Sequence, residues 1–238
     1  MELFRYTSLF FDLDNTIWDF KRNSEVALEL ALDECGVLEQ LPGFDEFLVE
    51  YNIINDQLWK AYRERTLPKA ELIRRRFEES IALFLPELSI DGEFINEAYL
   101  KHMSEQTHLI DGAREVLDYF HGKVRMFIIT NGFRQVQLEK LEKSDLAKYF
   151  ERVFISEVIG SPKPNKKIFE MAIKTTNSKK SNSIIIGDSW DADIVGGKNF
   201  GIDQVYFSPK NEFYPNSSTK TSTFFINQLS QLYSVIKK

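Results

Sequence analysis

LFFDLDNT, residues 9–16, is an apolar run that stops at two aspartates, Asp12 and Asp14. The run is too short for a core helix and is typical of a strand buried on both faces. Ending such a strand on two anions costs desolvation and mutual repulsion, roughly 4 kcal/mol for unit charges about 4 Å apart at an effective dielectric constant near 20. We therefore expect a cationic partner beside these carboxylates.

Short β-type runs alternate with helical patterns from residue 111 onward. The helical patterns cover 113–120, 166–176 and 191–200, and this alternation predicts a parallel sheet wrapped by helices, to which the strand before Asp12 also belongs. The β-type runs are VRMFIIT (124–130), RVFIS (152–156), SIIIGD (183–188), QVYFS (204–208) and FFIN (224–227).

Residues 20–106 contain helical patterns and no convincing strand. The sequence therefore predicts an α/β core domain made of residues 1–19 and 107–238, interrupted after its first strand by an all-helical insert. The predicted helices of the insert cover residues 25–35, 44–65, 69–85 and 92–105.

The overall composition excludes several classes of protein. The chain has 238 residues, 43% of them apolar and 28% charged, with a net charge of −6 and no basic stripe, which argues against a nucleic-acid polymer as partner. The run Arg74–Arg76 has glutamates nearby and indicates a solvated, ion-paired helix face. The apolar N-terminal stretch is too short for a signal peptide, and no apolar run of about 18 residues occurs. We expect no membrane association and a cytoplasmic location.

Two minor features suggest no chemistry. The single cysteine, Cys35, lies in a helical pattern and is expected to be a packed thiol in a reducing compartment. The polar stretch at residues 216–224 is expected to be a surface loop before a last strand and a helix ending at Lys237 and Lys238.

Polar side chains follow four of the apolar runs. Because loops and helix N-termini meet beyond the carboxyl ends of parallel strands, these side chains are expected at one edge of the sheet. They are Asp12 and Asp14, Thr130 and Asn131 with Gly132, Lys163, and Asp188 after Gly187.

Each of these residues alone has a structural interpretation. A single acid after a strand is usually a helix N-cap, and Asn131–Gly132 is typical of a turn. Lys163 stands between two prolines and suits an exposed loop, while Asp188 and Asp193 stand at a helix start, where acids complement the helix dipole. Only their joint placement favours a functional site.

Together the residues suit phosphoryl transfer, which needs a nucleophile and charge cancellation around a dianionic phosphate. Mg²⁺ held by Asp12, Asp188 and the backbone carbonyl of Asp14 would remove the repulsion between carboxylate and phosphate. Lys163 would add a fixed positive charge, and Asp14 would act as general acid and base. The phosphoryl oxygens would accept hydrogen bonds from the Thr130 hydroxyl and from the amides of Asn131 and Gly132.

The four segments resemble the motifs of the haloacid dehalogenase-like superfamily. FFDLDNT is similar to its nucleophile motif, Ile129–Gly132 to its second motif, Lys163 to its third, and GDSWDAD at 187–193 to its acidic fourth. The resemblance implies a Rossmann-like sheet, with the helical insert as a type-1 cap. It also implies an aspartyl-phosphate on Asp12, and an acid at position 14 favours phosphate chemistry over dehalogenation. By the same resemblance Asp14 is the acid/base, Thr130 a phosphate ligand, Lys163 the charge stabiliser, Asp188 a Mg²⁺ ligand and Asp193 a support for Lys163 or the metal shell.

A narrower resemblance concerns the substrate. FDLDNTIWDF (11–20), ITNGF (129–133) and ISEVIGSPKPNKKIF (155–169) resemble bacterial pyrimidine 5'-nucleotidases of this superfamily. This implies a small phosphorylated metabolite, a nucleoside monophosphate, as substrate. The alternatives are a phosphoglycolate or sugar-phosphate phosphatase, a hexose-phosphate mutase on the same core, and a non-catalytic binding protein.

Aromatic residues are candidates for stacking on a nucleobase. Trp18 is the preferred one, because the loop that follows Asp12, called the nucleophile loop below, is expected to hold it near the site entrance. The rings of the helical insert at Tyr51, Trp59, Tyr62 and Phe77 are expected to be core instead, since aromatic residues at helical spacing usually pack inward.

Overall fold

Strand β1 (Ser8–Phe11) lies inside a six-stranded parallel sheet of strand order β3–β2–β1–β4–β5–β6. All four of its residues are buried, as expected for a strand covered on both faces. This computed structural model describes residues 3–210 and 222–237. The other strands are β2 (Arg125–Thr130), β3 (Arg152–Ile155), β4 (Ser183–Gly187), β5 (Asp203–Phe207) and β6 (Phe224–Ile226).

The register of the central strands aligns their carboxyl ends. Phe11 pairs with Ile128 of β2 on one side and with Ile186 of β4 on the other. Asp12, Thr130 and Asp188 therefore follow neighbouring strands at the same edge of the sheet. This alignment is what positions the candidate site.

The chain divides into two units, one of residues 1–20 and 107–238 and one of residues 21–106. The second unit is helical, and within it the rings of Tyr51 and Phe77 lie 5.6 Å apart and those of Phe77 and Tyr99 lie 5.8 Å apart. Its helices are α1 (Phe20–Glu34, which begins in the first unit), α2 (Phe44–Arg63), α3 (Lys69–Phe84) and α4 (Gly92–Glu105).

The helices of the first unit flank the sheet. A cluster that includes Phe10, Phe127, Phe169 and Phe200 forms a core between the strands and the helices that contain the last two. The helices of the first unit are α5 (Ala113–Phe120), α6 (Arg134–Lys143), α7 (Ser156–Ile159), α8 (Lys166–Thr176), α9 (Val195–Phe200) and α10 (Leu232–Ile236).

The predicted fold class, a Rossmann-like parallel sheet flanked by helices with an all-helical insertion, is confirmed. Three elements differ from prediction. Helices α6 and α7 were not predicted, and the predicted helix at 191–200 is a π-helical turn, Trp190–Ile194, followed by α9. The part of the predicted surface loop at 216–221, and Lys238, lie outside the described residues.

The arginine run in α3 is not uniformly solvated. Arg74 and Arg75 form ion pairs with glutamates of the same helix, as predicted. For Arg76 the prediction is wrong, since this residue is only 6% exposed and donates to Asn96 Oδ1 across 2.5 Å. Its guanidinium also lies over the Phe77 ring, 4.7 Å from the centroid, because a buried cation needs polar or aromatic partners.

The structure also describes the environment of Cys35 and the hydropathy of the helices. Cys35 is a free, partly buried thiol whose pKa is raised by burial and by Glu34, which agrees with a packed cysteine. Among residues 3–210 and 222–237, no helix has both the length and the apolar character required to cross a membrane.

Candidate active site

Asp12 is buried at the carboxyl end of β1, where its backbone N–H donates to Ile186 O across 2.8 Å. This bond continues the pairing of β1 with β4 by one residue, so the carboxylate emerges where the sheet ends. The following loop turns back through Asn15, which adopts the left-handed region at φ 58°, a conformation that asparagine tolerates. The nucleophile candidate therefore stands on a rigid strand end.

Lys163 is the cationic partner expected beside Asp12. Its Nζ lies 2.5 Å from Asp12 Oδ1, 2.7 Å from Asp193 Oδ1 and 2.8 Å from Ile129 O. These three acceptors satisfy the three N–H donors of the ammonium. In this arrangement the donors of Lys163 are already used by the protein.

Asp193 is fully buried and held from both sides. Its Oδ1 accepts from Lys163, and its Oδ2 accepts from the backbone N–H of Ser189 across 3.1 Å. The carboxylate packs so closely on Gly187 that a Cβ at that position would collide with it. The glycine at the end of β4 is therefore required by the approach of Asp193.

Asp188 is oriented by Thr16, a fully buried residue that the sequence analysis did not single out. The Thr16 hydroxyl donates to Asp188 Oδ1 across 3.2 Å and accepts from the Asp188 backbone N–H across 3.1 Å. The nucleophile loop and the loop after β4 are thus joined by one side chain. The threonine of the LFFDLDNT stretch was the available signal.

Burial and the surrounding carboxylates shift the pKa values of the charged groups in this cluster. Burial, more than the nearby Asp193 carboxylate, raises the pKa of Asp188 to about 7, while Lys163 and Thr16 act against the rise. Burial also raises the pKa of Asp12 well above its usual value, although Lys163 opposes the shift. Burial lowers the pKa of Lys163, but Asp12 and Asp193 outweigh this and the net shift is upward.

The same residues fit a divalent cation. Asp12, Asp188 and Asp193 offer carboxylate oxygens that lie within 4.8 Å of one another, and hard oxygen donors suit Mg²⁺. Three carboxylates face one ammonium here, so a divalent ion would neutralise the excess charge. Because both oxygens of Asp193 already have donors, Asp12 and Asp188 are the better ligands.

Thr130, Asn131 and Gly132 follow β2 at the same edge. Thr130 is buried, and its hydroxyl oxygen accepts from Gln137 Nε2 across 2.6 Å. The Asn131 side chain makes two hydrogen bonds to the backbone of Lys163. Its Oδ1 accepts from Lys163 N–H across 2.8 Å, and its Nδ2 donates to Lys163 O across 3.0 Å. Asn131 therefore anchors the loop that delivers Lys163, and phosphate binding by these residues stays a prediction.

Asp14 keeps 27% of its side chain exposed and is paired with helix α6. Lys140 Nζ lies 2.7 Å from its Oδ1, and Gln137 Nε2 lies 2.9 Å from its Oδ2. The sequence analysis missed both partners. A lysine and a glutamine three residues apart, just after the Thr130–Gly132 strand end, were a signal too weak to interpret without the fold.

The prediction that Trp18 stacks on a nucleobase does not fit its position. Trp18 has no exposed surface, and its indole Nε1 donates to Ser144 Oγ across 3.1 Å. The ammonium of Lys140 lies 4.4 Å from its ring centroid. The ring is part of the packing between the nucleophile loop and α6, because the loop folds inward and not toward an entrance.

A parallel sheet with the Asp12–Lys163–Asp193 cluster at its carboxyl edge is typical of an α/β enzyme. The family model for haloacid dehalogenase-like hydrolases matches residues 6–201. The chain belongs to this family, and it is a phosphoric monoester hydrolase.

Three relatives of this chain are named as phosphatases of small molecules. The chain is 34% identical to the pyrimidine 5'-nucleotidase PynA of Streptococcus pneumoniae, covering 86% of this chain and 84% of PynA. It is 30% identical to the pyrimidine 5'-nucleotidase YjjG of Escherichia coli, covering 94% and 96%. Identity to a glyceraldehyde 3-phosphate phosphatase of Pyrococcus furiosus is 31%, covering 98% and 94%.

A solved relative has the same fold along its whole length. The crystal structure of YfnB from Bacillus subtilis, bound to magnesium, superposes with a TM-score of 0.85 at 30% identity, covering 97% of this chain and 98% of YfnB. Among these relatives, similarity extends over the helical residues as well as the α/β unit.

Proposed function

We propose that this phosphatase is a Mg²⁺-dependent nucleoside 5'-monophosphatase that works through an aspartyl-phosphate on Asp12. The observation that carries the mechanism is the buried Lys163 ammonium between Asp12 and Asp193, with Asp188 beside them. The choice of a nucleotide is supported by the similarity to PynA and YjjG.

The first half-reaction transfers the phosphoryl group to the protein. A carboxylate oxygen of Asp12 forms a bond to phosphorus as the bond from phosphorus to the ester oxygen breaks, and that electron pair leaves with the oxygen. Asp14 in its acid form gives its proton to the leaving oxygen, which departs as the nucleoside hydroxyl. Lys163 keeps its charge beside Asp12 throughout, which lowers the repulsion between carboxylate and phosphate.

The second half-reaction returns the protein to its starting state. Asp14, now a carboxylate, takes a proton from water as the water oxygen attacks phosphorus. The bond between phosphorus and the Asp12 oxygen breaks, its electron pair returns to the carboxylate, and inorganic phosphate is released. Bound Mg²⁺, for which Asp12 and Asp188 are the proposed side-chain ligands and the Asp14 carbonyl the proposed backbone ligand, supplies charge neutralisation.

Substrate positioning is assigned to the loop after β2 and to the helical residues. The Thr130 hydroxyl and the amides of Asn131 and Gly132 would donate to phosphoryl oxygens, and Asp193 would hold Lys163. Residues 20–106 would act as a cap that excludes water during turnover. This role is supported by their insertion in the chain directly after the nucleophile loop. We place the protein in the cytoplasm, with a small phosphorylated metabolite as its partner.

The experiment is a phosphate-release screen of the purified full chain. Pyrimidine and purine monophosphates, glyceraldehyde 3-phosphate, phosphoglycolate and hexose phosphates are compared with Mg²⁺ and with chelator. We expect the highest kcat/KM on nucleoside monophosphates and loss of activity with chelator. Preference for a sugar phosphate would contradict the nucleotidase assignment and favour the second candidate, which the similarity to the glyceraldehyde 3-phosphate phosphatase supports. Isomer interconversion without phosphate release would indicate a mutase, and inactivity on every compound a binding protein.

A further inference from the structure

Helix α6 buries two polar side chains on the side that faces the site. Gln137 is 1% exposed and Lys140 is 2% exposed, while Leu138 between them is 36% exposed. Burying a lysine and a glutamine is costly unless both find partners. An apolar residue in solvent beside two buried polar residues indicates that these side chains serve a particular contact.

That contact is the Asp14 carboxylate, whose two oxygens have different donors. Lys140 Nζ lies 2.7 Å from Oδ1, and Gln137 Nε2 lies 2.9 Å from Oδ2 and 2.6 Å from Thr130 Oγ1. Two donors on two oxygens restrict rotation of the carboxylate plane. Each carboxylate oxygen has a second lone-pair site, so these contacts leave positions for a transferred proton.

The Lys140 ammonium is itself held by aromatic rings. It lies 4.4 Å from the Trp18 ring centroid and 4.9 Å from that of Phe20, distances at which the ring faces attract a cation. Trp18 is anchored in turn by its bond to Ser144, the C-cap residue that follows α6. The aromatic pair after the nucleophile loop therefore positions Lys140 and not a substrate ring.

We propose that Lys140 and Gln137 are positioning residues for Asp14: they orient its carboxylate for proton transfer to the ester oxygen that leaves the phosphoryl group. This inference rests on the proposed function, because it assumes that Asp14 is the acid of the first half-reaction. Asp14 remains the group that meets the substrate, and Lys140 and Gln137 act through it.

The test compares leaving groups that differ in their need for a proton. A nucleoside leaves as an alkoxide and needs the acid, whereas p-nitrophenolate is stable without protonation. Lys140→Met should lower kcat/KM on the best nucleoside monophosphate about 10- to 100-fold, with a much smaller loss of kcat/KM on p-nitrophenyl phosphate. This ratio reports the steps up to departure of the leaving group, so it excludes the attack of water, in which Asp14 serves both substrates alike. The matched control is Lys143→Met, which removes an exposed lysine from the same helix.

Asp14→Asn provides the reference for the pair. If Lys140 acts through Asp14, adding Lys140→Met to Asp14→Asn should cause no further loss on the nucleotide, whereas independent effects would multiply. Equal loss on both substrates, or multiplication in the double variant, would overturn the inference and leave Lys140 as an anchor of α6. Thermal unfolding of each variant is measured alongside.

Gln137→Met keeps the inference testable if Lys140→Met does not fold. It removes the donors to Asp14 Oδ2 and to Thr130, so it should give the same preference for loss on the nucleotide, together with a higher KM. A Gln137→Met enzyme that loses kcat/KM equally on both substrates contradicts the inference. Failure of the proposed function has a different signature: Asp12→Asn would retain turnover, or Asp14→Asn would lower kcat/KM, which reports the steps up to departure of the leaving group, equally on both substrates.

Discussion

The ammonium of Lys163 donates to the Asp12 carboxylate across 2.5 Å, although the two residues stand 151 positions apart in the chain. Both are almost completely buried, so the attraction acts where water screens it least. This pair is what allows a buried strand to end on a carboxylate. It also leaves the site with more carboxylates than cations, which is the condition that a divalent ion would relieve.

Asp12→Asn should abolish turnover, by at least about 10³-fold in kcat, because the amide is a poor nucleophile. The measurement is release of inorganic phosphate from the best substrate of the screen. Asp33→Asn, an exposed carboxylate in α1, is the control and should retain activity. Turnover by Asp12→Asn at a similar rate to the unmodified protein would contradict the nucleophile assignment.

Lys163→Met should destabilise the folded protein by about 3–5 kcal/mol, because it leaves the buried Asp12 and Asp193 carboxylates without their cation. Urea unfolding in the presence of chelator measures the change. Lys167→Met, an exposed lysine four residues later, should have almost no effect. Adding Asp12→Asn to Lys163→Met should recover part of the loss. A Lys163→Met protein as stable as the control would show that the ion pairs of Lys163 do not contribute to the free energy of unfolding.

Thr16→Val should weaken Mg²⁺ binding about 10- to 100-fold, because the hydroxyl that orients the Asp188 carboxylate is lost. Thr16→Ser keeps the hydroxyl and is the matched control, with affinity close to that of the unmodified protein. Titration calorimetry with Mg²⁺ alone gives both values. Equal affinities for the valine and serine variants would exclude a positioning effect of Thr16.

The raised pKa of Asp188 gives the metal-free protein a defined pH dependence. Its carboxyl has a pKa of about 7 in the folded state and 3.8 as reference, so between these values the folded state binds a proton that the unfolded state lacks. The contribution of Asp188 to the free energy of unfolding should therefore fall as pH rises from about 4 to 7 and level off above that, by on the order of 2–4 kcal/mol.

Comparison with Asp188→Asn isolates this contribution. The variant does not ionise at this position, so the difference in unfolding free energy between the two proteins should decrease across the same pH window when both are measured with chelator. Added Mg²⁺ should remove the decrease for the unmodified protein, because the ion binds the charged form. A difference that does not change with pH would contradict the assigned pKa direction.

The sheet and most helices were predictable because their signals are local. The apolar run before Asp12 identifies a strand buried on both faces from its own residues, and helix α4 has a capping aspartate, Asp91, where its pattern starts. Helix α6 escaped prediction because its apolar residues do not gather on one face. Its buried positions include Gln137 and Lys140, so the hydrophobic period that identifies a surface helix is missing.

The candidate site shows the same division between local and long-range information. The strand ends that deliver Asp12, Thr130 and Asp188 could be placed at one edge from sequence, because parallel strands align their carboxyl ends. The neighbours of Asp14 could not be predicted. Lys140 lies 126 residues away in the chain and contacts Asp14 only because of how α6 is oriented about its own axis. The exposure of Trp18 could not be predicted either, because burial of a loop residue depends on which elements pack against the loop.

The amino-acid sequence by itself determined the parallel α/β architecture, the helical insertion and the acids and lysine that gather at the sheet edge, since strand periodicity and chain order are sufficient for these. Only the tertiary structure decided which donor meets each carboxylate oxygen, that Thr16 joins two loops, and that Trp18 faces Lys140. Such contacts depend on the packing of whole elements to within an ångström, which no local pattern of residues encodes.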